Sequence, residues 1–158
     1  RGTVQNAMKR FKFSSAAYCA DWFAAQMCAA LTSQLEDWQP DLITYMPIGF
    51  LHYRKRGYNQ AELLAKLTAK PLSLPCEATL RKRWFVGKQS AQKDYTARQS
   101  NAKDAVLPKG GVDLTGKSVV LVDDIITTGA TAAAAVKTLR EMGASRVYVL
   151  TATFTPRK

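Results

Sequence analysis

Four apolar residues spaced four apart, Phe23, Met27, Leu31 and Leu35, draw one stripe along a helix predicted from Ser15 to about Asp37, and Pro40 ends it. Asp41 to Met46 reads as a short buried strand stopped by Pro47. Asn59, with Glu62 three residues on, fits an N-cap opening a helix from Ala61 to Ala69. Two short extended segments are expected between Pro71 and Arg83. Trp84 to Lys103 is polar, basic and weakly patterned, and reads as a mobile loop running into a helix. The last third is clearest. Val119 to Val122 is a continuous apolar run, as expected of a parallel strand covered on both faces. Thr127, Thr128 and Gly129 make a turn, Ala130 to Met142 an alanine-rich helix closed by Gly143, and Arg146 to Phe154 the next strand. This strand–helix–strand unit predicts a parallel α/β sheet with a right-handed crossover. At 158 residues, with no repeat or linker-like break, the chain reads as a single domain.

Composition narrows the class. Hydrophobic residues make up 47% and charged residues 22%, an ordinary globular balance, and no apolar run approaches the ~20 residues a membrane span needs. Cys19, Cys28 and Cys76 are too few and too scattered for a disulfide framework or a zinc site, so free thiols in a reducing cytoplasm are expected. No signal-peptide pattern opens the sequence, which starts at Arg1 rather than methionine, as a fragment of a longer chain does. Charge is more informative. Lys and Arg total 23 against 12 Asp and Glu, a formal net charge of +11, which implies polyanionic partners. The surplus is clustered: Lys9, Arg10 and Lys12, then Arg54, Lys55 and Arg56. From Arg81 to Lys103 a further basic stretch holds one acid, Asp94.

Two phosphate-binding patterns compete. Gly111 to Ser118 matches G-x-x-x-x-G-K-[ST] literally, but that mechanism needs a helix directly after the lysine, and here a strand follows. The segment is read as a turn. Val119-Val120-Leu121-Val122-Asp123-Asp124-Ile125-Ile126-Thr127-Thr128-Gly129-Ala130-Thr131 is in better context. It sets two carboxylates at the carboxyl end of a buried strand, where open α/β sheets bind ligands. A small, hydroxyl-rich turn then enters a helix whose N-terminus favours an anion. Acceptors for sugar hydroxyls beside a phosphate cradle suit a ribose 5-phosphate. A phosphoacceptor receiver domain also opens with Val-Asp-Asp, but too few residues follow Asp124 to complete one.

These residues resemble the phosphoribosyl-pyrophosphate (PRPP) signature of type I phosphoribosyltransferases. The resemblance implies that Asp123 and Asp124 bind the ribose hydroxyls, with Mg²⁺ bridging to substrate oxygens. It implies that Thr127, Thr128, Gly129, Ala130 and Thr131 hold the 5-phosphate. Arg54-Lys55-Arg56-Gly57-Tyr58-Asn59-Gln60-Ala61-Glu62, and Gln89-Ser90 through Arg98 and Asn101, are similar to motifs of the ComF competence-protein family. By that resemblance Met46 to Arg56 is the pyrophosphate loop, with Arg54, Lys55 and Arg56 its cations. Trp84 to Asn101, with Lys88, Gln89, Arg98 and Asn101, becomes a flexible hood. The fold expected is the parallel α/β type I phosphoribosyltransferase fold with a small hood, and the implied setting is DNA uptake alongside competence machinery. ComF proteins commonly carry an N-terminal zinc ribbon. No such cysteine-rich module is in this sequence, so functions of that module are not carried over.

The implied chemistry is phosphoribosyl (pentosyl glycosyl) transfer to an acceptor left unidentified. Thr127 stands where purine-salvage members carry an aspartate, which argues against purine-base salvage. His52, the only histidine, sits in a basic loop and reads as a surface residue. The alternative is a non-enzymatic protein that handles single-stranded DNA. Trp84 and Phe85, among Arg81, Lys82, Arg83 and Lys88, interleave aromatics and cations as such a role needs, although the aromatics can equally pack on their own domain. Self-association is left open.

Overall fold

A computed structural model describes residues 18–82 and 106–154. The central sheet has three parallel strands, β1 (Leu42–Tyr45), β4 (Ser118–Ile126) and β5 (Arg146–Phe154), with β4 in the middle. A separate antiparallel ribbon pairs β2 (Leu80–Lys82) with β3 (Val106–Pro108). Its Lys82–Val106 end brackets residues 83–105, so Arg83, Trp84, Phe85, Lys88, Gln89, Arg98 and Asn101 lie outside the described residues.

Alternation along β4 builds two cores. Val120 and Val122 point to the face covered by α1 (Tyr18–Thr32) and α4 (Gln60–Ala69), packing with Phe23, Met27, Leu31, Ile43 and Leu64. Val119 and Leu121 point to the opposite face, where α5 (Ala130–Glu141) contributes Ala135 and Leu139. A run that is apolar at every position is what a strand with helices on both sides requires. Each fully buried leucine in these layers stabilises the fold by roughly 1.5–3 kcal/mol.

Differences from the sequence pattern have local causes. The helix expected through Asp37 is broken after Thr32, and α2 (Leu35–Trp38) follows as a separate turn. There Thr32 Oγ1 donates to the Cys28 carbonyl at 2.8 Å and Ser33 Oγ to the Ala30 carbonyl at 2.8 Å. Such hydroxyl bonds compete with backbone continuation. Phe50–Arg56 forms a helix, α3, within the segment expected to be a loop, leaving residues 46–49 irregular. Gly57, at φ +81°, caps it by donating to the Tyr53 carbonyl. Of the two extended segments expected after Pro71, one is β2 and the other a single parallel bridge from Cys76 to Ile43, preceded by a 3₁₀ turn at Lys70–Leu72. Strand β4 continues four residues beyond Val122. Gly111 to Ser118 runs directly into β4, with Leu114 buried and Asp113 accepting from the amide and hydroxyl of Thr115. Cys19, Cys28 and Cys76 are free thiols. No described helix is long and apolar enough to cross a membrane.

Gly143 ends α5 at φ +98°, and a Cβ there would lie 2.9 Å from the Thr115 Cα. Gly143→Ala therefore combines a strained backbone with a backbone clash. It should cost about 1–3 kcal/mol or more in urea denaturation. Gly116→Ala, at φ +74° but facing open space, should cost less.

Candidate functional site

The site begins where β1 stops. The Met46 amide makes the last bond to β4, donating to the Val122 carbonyl at 2.9 Å; beyond it the Met46 carbonyl accepts from the Asn59 side chain and the Asp124 amide donates to Asp123, so the ladder stops there. Beyond Val122, β4 pairs with β5 alone, through Asp123–Thr151, Ile125–Thr153 and Ile126–Phe154. Its edge on the β1 side is left uncovered by a strand. A cleft of about 220 Å³ occupies that space, lined by Met46, Pro47, Lys82 and much of the segment from Asp123 to Ala132.

Asp123, Asp124, Thr127, Thr128, Gly129 and Thr131 all line this cleft, as the sequence pattern expects, and Ala130 stands just behind as the first residue of α5. The Asp123 carboxylate accepts from the Asp124 amide at 2.9 Å, and Thr153 Oγ1 donates to the Asp124 carbonyl at 3.3 Å. Gly129 adopts φ +79°, which swings the chain into α5, and its carbonyl takes the Ala133 amide at 2.8 Å. One end of the cleft is thus acidic, and the other is the N-terminus of α5, where the Ala130 amide donates to Thr128 Oγ1 at 3.4 Å and the helix dipole favours an anion. No group of three or more His, Cys, Asp or Glu side chains able to hold a metal occurs among the described residues. Two carboxylates on an open cleft suit a cation such as Mg²⁺, which keeps water and substrate oxygens as most of its ligands.

Asn59 positions the opposite wall. Buried to 8% exposure, it donates from Nδ2 to the Met46 carbonyl at 3.0 Å and accepts the Ala61 amide on Oδ1 at 3.1 Å. One side chain therefore caps α4 and pins the turn after β1. The capping role was legible in the sequence, whereas the bond to Met46 was not.

Beside this cleft lies a larger one of about 750 Å³, sharing Pro47 and Lys82 with it. Its walls include Tyr45, Ile48, Phe50, Leu51, Tyr53 and Leu80, and Glu62, Arg81 and Lys109 are among its charged groups. His52 also lines it, exposed to solvent. Lys82, read from sequence as a nucleic-acid contact, is the basic side chain that lines both clefts among the described residues. Lys109 was missed altogether, since only the β2–β3 pairing brings it here. Arg54, Lys55 and Arg56 sit in the last turn of α3 and line neither cleft. The Arg54 guanidinium lies 5.7 Å from the Phe50 ring centre, and Arg56 donates to Gln60 Oε1 at 3.2 Å. Their position at a helix C-terminus is favourable in itself.

Burial, and then the nearby Glu62 carboxylate, push the Tyr45 phenol above its ordinary value of 10.0. The Lys66 ammonium, 2.6 Å from Glu62 Oε1, is raised as well.

A parallel α/β sheet with an acid pair and a small-residue turn at its carboxyl edge matches the type I phosphoribosyltransferase fold. The chain belongs to the phosphoribosyl transferase domain family, whose model matches residues 59–158, and within it to the ComF-like type I members. It is 29% identical to competence protein F of Haemophilus influenzae over 150 residues, covering 90% of this chain and 64% of that protein. It is 34% identical to the DNA utilization protein YhgH of Escherichia coli over 119 residues, 70% of this chain and 48% of that one. The chain therefore spans roughly half to two thirds of these relatives' lengths. Glutamine PRPP amidotransferase from B. subtilis, complexed with ADP and GMP, superimposes with a TM-score of 0.57 at 28% identity, over 84% of this chain and 26% of that one. Purine phosphoribosyltransferase from Pyrococcus horikoshii shares the fold, with a TM-score of 0.53 at 18% identity over 85% of this chain and 84% of that one.

Two outcomes follow from this geometry. Asn59→Ala loses the cap and strands the Met46 carbonyl, and should cost about 1–3 kcal/mol in urea denaturation. Asn59→Asp keeps the cap but places a carboxylate against that carbonyl, and should be no more stable. A phenol raised on folding contributes stability that is complete below pH 10.0 and is lost as pH rises through its folded value. Tyr45→Phe should therefore make the alkaline fall in stability shallower, read as melting temperature against pH.

Proposed function

We propose that this chain binds PRPP with Mg²⁺ and transfers its phosphoribosyl group to an acceptor. The observation that carries this reading is the overrun of β4 beyond β1, which sets Asp123, Asp124 and the start of α5 on one cleft. Membership of the phosphoribosyl transferase domain family supports it. The two carboxylates accept hydrogen bonds from the ribose hydroxyls. Amides and hydroxyls from Thr127 to Thr131 hold the 5-phosphate, and Gly129 lets the backbone approach it. Asp123 and Asp124 would hold Mg²⁺, which would supply positive charge against the leaving pyrophosphate.

In the reaction the acceptor forms a bond to ribose C1 as the C1–oxygen bond to pyrophosphate breaks, and the electron pair leaves with pyrophosphate. Charge therefore grows on the leaving group, where one well-placed donor is worth about 3–4 kcal/mol. Lys82 takes that role first, because it lines the cleft, and Arg54, Lys55 and Arg56 follow from the last turn of α3, outside the cleft's lining. The similarity to competence protein F and YhgH supports a setting in DNA uptake or utilization.

A second reading is a non-enzymatic protein that holds single-stranded DNA. What favours it is α3, where Phe50, Leu51 and Tyr53 are 48%, 79% and 47% exposed on a helix ending in Arg54, Lys55 and Arg56. Stacking surfaces beside cations are what a single strand needs.

Calorimetric titration of PRPP with Mg²⁺ decides between them. Wild type should bind, and the Asp123→Asn/Asp124→Asn double variant should not. Lys82→Ala should weaken PRPP about tenfold or more while leaving ribose 5-phosphate unaffected. If wild type takes up no PRPP but binds oligothymidine with a steep salt dependence, the second reading stands instead.

A further inference from the structure

Among the described residues, the firmest directional attachment of the β2–β3 ribbon to the sheet lies just before the ribbon begins. Thr44 is fully buried on β1, between Leu42 and Met46 on the face that packs with Leu80, Val106 and Leu121. Thr79, also fully buried, sits immediately ahead of β2. Their hydroxyls share a hydrogen bond at 2.7 Å, and the Thr79 amide donates to Thr44 Oγ1 at 3.3 Å. The Thr79 carbonyl accepts the Lys109 amide at 2.8 Å, so this one residue ties the sheet to both sides of the ribbon. At the ribbon's other end the Val106 carbonyl accepts from Thr138 Oγ1 at 3.4 Å, a hydroxyl that also bonds the Ala134 carbonyl at 3.1 Å. A long, shared bond is the weaker tether. Leu80 and Val106 hold the ribbon against the core, but apolar burial carries no direction of its own. Three residues on from Thr79, Lys82 lines the smaller cleft. A one-residue slip of an extended chain moves a side chain by about 3.3 Å and turns it to the opposite face.

We propose that Thr44 and Thr79 are positioning residues for Lys82: the bond between their hydroxyls sets where the ribbon stands against β1, and so holds the Lys82 ammonium over the pyrophosphate of a bound donor. The inference rests on the reading of the smaller cleft as the phosphoribosyl site. A buried hydroxyl pair in an apolar layer gains little stability over an apolar pair of the same shape, so its distinctive contribution is direction.

Thr44→Val and Thr44→Ser separate direction from packing. The valine keeps the volume and loses both bonds, whereas the serine loses a methyl group and keeps them. Both should lower the urea midpoint. In calorimetric titration with Mg²⁺, Thr44→Val should bind PRPP about fivefold more weakly than wild type and Thr44→Ser should match wild type. All three proteins should bind ribose 5-phosphate alike. Added to Lys82→Ala, Thr44→Val should weaken PRPP no further, because the threonine acts through that lysine. Equal PRPP losses in the valine and serine variants, a loss shared by ribose 5-phosphate, or additive losses in the double variant each overturn the proposal. Should Thr44→Val fail to fold, Thr79→Val tests the bond from the ribbon's side. Failure there too rejects the inference, since the pair then supports the fold rather than the lysine. Wild-type protein that takes up no PRPP overturns the phosphoribosyl reading and this inference with it, whereas PRPP affinity unchanged by Thr44→Val rejects this inference alone.

Discussion

A strand in a parallel sheet needs a neighbour on each edge to satisfy its backbone, and β4 has two only as far as Val122. On one edge β1 ends at Tyr45, where Asn59 takes the Met46 carbonyl, while on the other β5 carries the pairing to Ile126. The step between those lengths makes the smaller cleft. It also explains why two acids are tolerated at the end of an otherwise apolar strand, since Asp123 and Asp124 fall just past the last position covered on both edges. At the opposite end the same pair of strands is locked. The Ser118 amide donates to Asp41 Oδ2, its hydroxyl to the Trp38 carbonyl, and the Asp41 amide returns a bond to the Ser118 carbonyl. A fixed base and a stepped rim are built from one pairing.

Much of this was legible in the chain. The valine run, the two acids and the Thr-Thr-Gly turn carry the strand, rim and helix start, because each is set by neighbours within a few residues. What escaped the sequence depends on distance. Where β4 loses a partner is decided at the turn around Met46, more than seventy residues earlier in the chain. Lys82 was read with its sequence neighbours as part of a nucleic-acid contact, and only the ribbon's placement brings it to the cleft. The short helix α3 had a signal in Gly57 after three basic residues, but the triplet's charge drew it toward a ligand role. That same triplet now has a physical explanation in the negative end of its own helix.

Net charge and site charge are distributed on different scales. The surplus of +11 suits polyanions in general, whereas the rim combines two carboxylates with amides and a single shared lysine. Such a rim discriminates by arrangement rather than by total charge. On the proposed function a ligand with hydroxyls at one end and phosphate at the other is matched, and a uniform polyanion is repelled by Asp123 and Asp124.

Lys82 belongs to both clefts, and thermodynamics attaches a condition to that. Whatever an occupant of the smaller cleft does to the lysine's position or charge, it does to the larger cleft as well. The effect is reciprocal: each ligand changes the other's affinity by the same factor. A partner that draws Lys82 into the smaller cleft withdraws a cation from the neighbouring one. Two anionic ligands sharing that lysine then compete for it, whereas its neutralisation by one relieves like-charge repulsion for a cationic other. The ribbon that carries it meets α5 through Thr138, whose hydroxyl donates to the Val106 carbonyl at 3.4 Å. With Leu80 and Val106 buried in the core and Thr79 bonded to Thr44 at 2.7 Å, the ribbon is a fixed base, and what the two clefts share is the reach of one flexible side chain.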